Sequence, residues 1–296
     1  MNRKDYEKTT DYKKSVQLVK EFVDEVLEGD IEALKTFCLK DLSKYVGDIN
    51  DPDMYLIVQA IYIILFGDIY DLTFDKMGSW DWKGTCAFRG DTMNSFGSLF
   101  GKESKDRQFA FRAKYFGADK IPELWNKIEE FYQMYHYIGN FIVIPNRGSV
   151  QNGINGARAG YYDTDCCEGM RDYFDWFLVA VAKYQEKVKR GDIQLNKFEM
   201  QLQRNPEYNP FFLDISEWEK RFFLEDYYEN GIPKLLFKTP IERRLLKTTV
   251  AEERQGEEFY EDEEYLNLME DFLDKSKRVI VYRTNKMVDC LKEKIK

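Results

Sequence analysis

Two clusters of residue types could do chemistry. The first is FRGDTMNSF, which sets Arg89, Asp91, Thr92, Asn94 and Ser95 side by side between Phe88 and Phe96. If Asp91 or Thr92 caps a short helix running to Phe100, backbone N–H groups and a guanidinium converge on one point, as an anion site requires. An arginine salt-bridged to a nearby acid beside a capped turn has the same spacing. The second cluster follows the only histidine, His136, through Asn140, Asn146 and Arg147 into a Gly/Asn-rich loop that carries Asn155 and Arg158, and on to Asp172. Arg158 stands among small residues in NGARAG. It can project its fork into a cavity as a bidentate anion ligand, or it can pin the loop to Asp163 or Asp172. Asp91 or Asp172 could act as a general base with His136 assisting. His136 could equally be a helix-terminal residue bonded to a carbonyl.

Other chemistries find no support. There is no HExxH, no GxxxxGK[ST] and no GxGxxG opening a βαβ unit. The five cysteines (Cys38, Cys86, Cys166, Cys167, Cys290) are scattered without a CxxC, so no zinc site is expected and the reading is of a reducing, cytoplasmic compartment. DTDCCEG lacks the later oxygen ligands of a calcium loop, and no metal or cofactor is assigned. The net charge of −9 argues against a sequence-independent grip on nucleic acid. The longest apolar run, Met54 to Phe66, is broken by Gln59 and too short to span a bilayer, and the start has no signal-like apolar core.

The elements that must position these residues are mainly helical. A chain of 296 residues with 44% hydrophobic and 33% charged residues can bury one large core, and it is read as a single domain over 1–296. Aromatics at 16% can fill that core and also floor a polar pocket. Residues 11–28 and a second helix from Asp30 predict a helical hairpin over 1–47. Pro52 opens an element that is apolar nearly all round, so it reads as a central buried helix, with a strand as the alternative. Between Gly67 and Gly101 no period persists. A helix starting at Pro122 carries its stripe to Ile138 and ends at Gly139, and Asn140 to Pro145 reads as a strand. Helices are expected over 167–188, in two short pieces within 210–231, and over 264–296 as one helix or a helical pair; residues 233–237 read as an edge strand or extended passage and 248–264 as a mobile acidic loop. The fold class is therefore mainly α with a small β element (α+β).

The run YIGNFIVIPNR, then NGINGARAG, then MRDYFDWFLVAVAKY resembles a family of uncharacterised, mostly bacterial proteins known as a domain of unknown function. Its pattern is an aromatic-x-IGG run leading to proline and Asn-Arg, an INGARG-like loop, a helix opening Asp-Arg-Phe-Asp, an aromatic FF stretch and a C-terminal Arg-Asn. Asn209 through Phe223 and Arg283, Thr284 and Asn285 are similar to the last two. Here Asn140 replaces the second glycine, and DYFD lacks its arginine, with Arg171 one residue earlier. The resemblance implies a shared fold and site and brings no reaction. Phe88, Arg89, Gly90, His136 and Gly139 also resemble FRG-type domains. ADP-ribosyltransferases use an aromatic-Arg-Gly at their NAD site, but their Ser-Thr-Ser and glutamate contexts have no match here.

Three functions are thus expected as alternatives. One is binding of a small anionic or nucleotide-like ligand in a polar pocket. Another is a nucleotide-dependent transferase, and the third is an interaction module. The FRGDTMNS stretch and the NGINGARAG loop are expected to meet in space, with Arg89 near Asn155 or Arg158.

Overall fold

The computed structural model describes residues 2–46, 52, 55–78, 88–93, 121–145, 174–204, 215–234 and 263–296. It is mainly α-helical with a small β component, as the periodicity predicts. After a short α1 (Arg3–Tyr6), the Thr9 hydroxyl accepts from the Tyr12 N–H and starts α2 (Thr10–Glu25). Tyr12, Ser15, Val19, Phe22 and Val23 form its buried stripe. The helix closes through Glu28 and Gly29, both at positive φ (53° and 83°), and Gly29 N–H returns to the Val23 carbonyl at 2.9 Å.

The second arm of the predicted hairpin is not one helix. The Asp30 side chain does accept from Glu32 N–H at 2.9 Å, but the chain then passes through a 3-10 turn (Ile31–Thr36), an extended step at Phe37 and Cys38, a second 3-10 turn (Leu39–Leu42) and α3 (Ser43–Val46). The cause is tertiary. Leu39 N–H, which a continuous helix would spend on Lys35, donates instead to the His136 carbonyl at 3.0 Å.

The run after Pro52 resolves as the buried helix rather than the strand. In α4 (Leu56–Tyr70) every residue from Val58 to Gly67 is buried, which an all-round apolar sequence demands. It packs along α2. At Gly67 the Tyr6 ring passes so close that a Cβ would collide with it, and Tyr6 OH donates to the Leu72 carbonyl at 2.6 Å. Asp71, left-handed at φ 53°, ends α4, and a short α5 (Phe74–Gly78) comes next.

Helix α6 (Pro122–Met134) starts at its proline as expected but stops four residues before Ile138. The Asn140 amide donates to the Tyr135 carbonyl at 2.9 Å, pulling residues 135–137 into a turn before a 3-10 turn over Ile138–Asn140. Strand β1 (Phe88–Thr92) then pairs antiparallel with β2 (Phe141–Pro145), in the register Phe88↔Pro145, Arg89↔Ile144, Gly90↔Val143, Asp91↔Ile142, Thr92↔Phe141.

Of the helix predicted over 167–188, α7 (Phe174–Arg190) is described. Next, α8 (Lys197–Arg204) opens on a capping box: Asn196 Oδ1 accepts from Glu199 N–H and Glu199 Oε2 accepts from Asn196 N–H, each at 2.8 Å. Only one of the two short helices predicted within 210–231 is found among the described residues, α9 (Ile215–Arg221). The chain beyond it makes a 3-10 turn (Glu225–Tyr227) and a hairpin, β3 (Tyr228–Glu229) with β4 (Ile232–Pro233), over Asn230 and Gly231 at φ 54° and 75°. Two consecutive positive-φ residues give the turn that matches strand twist. Of the predicted edge strand, Pro233 lies in β4 and residues from 235 lie outside the description, as does the acidic stretch up to 262.

The last element, α10 (Glu263–Lys294), runs 32 residues, about 48 Å at 1.5 Å per residue. Ion pairs fasten its length: Lys127 to Glu270 and Asp274, Glu130 to Lys277, Lys35 to Asp289, and Glu32 to Lys292. Its buried face, including Phe272, Leu273, Val279, Ile280, Met287, Val288 and Leu291, completes the core that α2, α4 and α6 begin. No described helix is long and apolar enough to cross a membrane.

Candidate functional site

The FRGDT segment lies directly against the strand that leads into the Asn/Gly loop. Met93 N–H donates to the Asn140 carbonyl at 2.8 Å, which extends the β1–β2 ladder by one pair. In an antiparallel pair, residues alternate between bonding toward the partner and bonding outward. Asn140 therefore points its carbonyl at β1, while Gly139 and Phe141 point theirs away.

Those outward carbonyls face α10, and Arg283 takes both. Its Nη1 donates to Gly139 O at 2.7 Å and to Phe141 O, and its Nε donates to Phe222 O at 2.9 Å. Beside it, Gly139 N–H donates to Thr284 Oγ1 at 3.2 Å, and Thr284 in turn donates to Ile280 O at 2.7 Å within its own helix. Arg283 is thus a substitute strand, satisfying the exposed edge of a two-stranded ribbon from the middle of a helix. The guanidinium is 1% exposed, and burial pulls it down to about 10, still protonated at neutral pH. The ring of Phe222, whose carbonyl Arg283 holds, packs against Trp218 at 4.2 Å and stacks on Phe66 at 5.2 Å, and all three are buried.

The predicted site residues divide into three groups. Arg89, Asp91 and Thr92 lie on β1, with Arg89 and Asp91 at register positions opposite Ile144 and Ile142. His136 and Asn140 lie in the core, at 2% and 0% exposure. The His136 ring packs edge-on to Tyr135 at 4.7 Å and near Phe141 at 6.2 Å, and its backbone carbonyl holds Leu39. The Asn140 amide fastens the turn. Both residues lie in the buried scaffold under the ribbon. Asn94, Asn146, Arg147, Asn155, Arg158 and Asp172 lie outside the described residues, as does the NGINGARAG loop. The register sets Phe88 against Pro145 and Arg89 against Ile144, the last two described residues before Asn146 in the sequence.

Arg283 enters the sequence reading only through the resemblance and is not among the expected site residues. A signal was present: Val279, Ile280, Met287 and Leu291 place positions 283 and 284 on the apolar stripe of α10, where a cation needs a buried reason to be. The backbone carbonyls of Gly139 and Phe222, 83 residues apart in the chain, thus meet at this one guanidinium. Among the described residues no group of three or more His, Cys, Asp or Glu side chains could hold a metal ion. No family model, curated protein or solved structure matches the chain.

Proposed function

We propose that this chain binds a small anionic ligand of nucleotide-like class at the open end of the β1–β2 ribbon, with Arg89 and Arg147 as the principal anion contacts. The observation that supports it most is the register: pairing of Phe88 with Pro145 sets the strand that carries Arg89 beside the end of the strand that precedes Arg147 in the chain. The other end of the ribbon is locked by Arg283 and Thr284, so the strands form a rigid platform of the kind that a binding site needs. Arg158 and Asn155 are further contacts from the loop after β2. The compartment is read as reducing cytoplasm, consistent with the free thiols of Cys38 and Cys290.

Native mass spectrometry of freshly purified protein, and then a thermal-shift screen of nucleotides and sugar phosphates, tests the reading. A ligand that raises the melting temperature should bind about tenfold or more weakly to Arg89→Lys and Arg147→Lys, because a lysine cannot reproduce a bidentate fork. The absence of both a co-purifying mass and any anion-dependent shift would remove the proposal.

A further inference from the structure

Lys294, the last residue of α10, is an amine held without a counter-ion. It is half-buried, and its Nζ donates to the Ile64 carbonyl of α4 at 2.6 Å. Asp68 stands one turn further along α4 on the same face, but its carboxylate is 6% exposed and taken by Arg221 of α9 at 2.7 Å. Glu217 and Glu7 pair with Arg221 and Arg3 in turn. Among the described residues no carboxylate comes within ion-pairing distance of Lys294. The Cys290 thiol, one turn back on α10, is pushed up by burial and is uncharged at neutral pH, so it supplies no counter-charge. The one acceptor at Nζ is thus a neutral oxygen, which bonds to a neutral amine as well as to an ammonium. Burial favours the neutral form, and the charges of Arg3 and Arg221 act in the same direction against that of Asp68.

We propose that Lys294 is a modification site at which Nζ takes up carbon dioxide as a carbamate. The neutral amine attacks the carbon of carbon dioxide, a C–N bond forms, one C=O electron pair moves onto oxygen, and the displaced amine proton leaves to solvent. No oxidant or leaving group is needed: amine and carbon dioxide give carbamate and one proton. The nitrogen keeps one N–H, so the bond to the Ile64 carbonyl survives the reaction. The product turns a half-buried cation without a partner into an anion. The guanidinium of Arg221, bound one turn along the same face of α4, then changes from a like charge to an opposite one. That change selects the reactant. An acyl donor would leave a neutral amide that gains nothing from the arginine, whereas carbon dioxide is small, uncharged and yields the charge that the surroundings lack.

Carbon-13 NMR of the full chain in carbon-13-labelled bicarbonate tests the site. The expected result is a carbamate resonance that is lost in Lys294→Arg, whose guanidinium still donates to the Ile64 carbonyl but stays protonated and forms no carbamate. The α-amine of the chain also forms a carbamate, and its signal is recognised by persisting in the variant. Trapping the wild-type carbamate by O-alkylation with a trialkyloxonium salt, followed by peptide mass mapping, should place the mark on Lys294. A spectrum of Lys294→Arg that matches the wild type, or a trapped wild type without the mark on Lys294, would overturn the proposal. If Lys294→Arg fails to fold, the trapped wild type still decides.

Discussion

Replacing Gly139 by alanine tests how closely the ribbon approaches α10. A Cβ at position 139 would collide with the backbone nitrogen and Oγ1 of Thr284 and lie 2.7 Å from the Ile280 carbonyl. Two of these three atoms are helix backbone and cannot swing aside as a side-chain tip can. Overpacking of this kind costs about 1–3 kcal/mol where neighbours can adjust. The displacement needed to relieve it also stretches Gly139 N–H to Thr284 Oγ1 and Arg283 Nη1 to Gly139 O, a neutral and a charge-assisted hydrogen bond worth about 1 and 1.5–3 kcal/mol. Allowing for partial retention of both bonds, Gly139→Ala should lose about 3–5 kcal/mol. Urea unfolding measures it, with Gly191→Ala as control. Gly191 has φ 73° and nothing within 4 Å of a built Cβ, so its substitution costs only backbone strain, about 1–2 kcal/mol. Adding Thr284→Ala to Gly139→Ala should recover only part of the loss, because the Thr284 nitrogen and Ile280 carbonyl remain. If Gly139→Ala is no more destabilising than Gly191→Ala, the close approach of the ribbon to α10 is wrong.

Tyr6→Phe removes the hydroxyl that satisfies the buried Leu72 carbonyl, and should cost about 1–2 kcal/mol in the same unfolding assay without change of helicity by circular dichroism. Lys187→Met leaves the Glu199 carboxylate, 2% exposed, with only the Asn196 N–H; a loss of about 2 kcal/mol is expected, with Glu199→Gln restoring part of it in the double variant. The Glu32 carboxyl is pulled down to about 2 by hydrogen bonds from Lys292 and then Lys35. Because its folded value lies below its ordinary one, the stabilisation is complete above the ordinary carboxylate range and is lost as pH falls through about 2. NMR titration should show Glu32 half-protonated near pH 2 at low salt and at a higher pH in 1 M salt, since the group is fully exposed and its pairs are screened.

Much of the helical framework was legible because burial leaves a period in the sequence. Val58 to Gly67 had to be enclosed whatever their local preference, and Pro122 and Asp30 marked their starts by cap chemistry. Strand β2 was legible from FIVIP, but β1 was not: five residues with a central glycine and two charges offer no alternation to read, and their partner lies some fifty positions away. The helix ends depart from the periodic pattern wherever a tertiary hydrogen bond intervenes, as with Asn140 at the end of α6 and the His136 carbonyl at Leu39. The candidate site was legible as two motifs but not as a mechanism of support. A sequence records that Arg283 lies on an apolar stripe; it does not record which carbonyls, 61 to 144 residues distant, require it.

That separation has a kinetic consequence. Gly139 and its clamp Arg283 are 144 residues apart, so at about 5–20 residues per second a ribosome delivers the guanidinium roughly 7–29 s after the glycine. During that interval α2 and α4 can pair, since they are neighbours in the chain, but the outward carbonyls of Gly139 and Phe141 have only water or a borrowed strand to bond with. The ribbon is then an open edge for as long as α10 is missing. Completion of the fold waits for this distant contact, and a chain halted before α10 would present that edge to its neighbours.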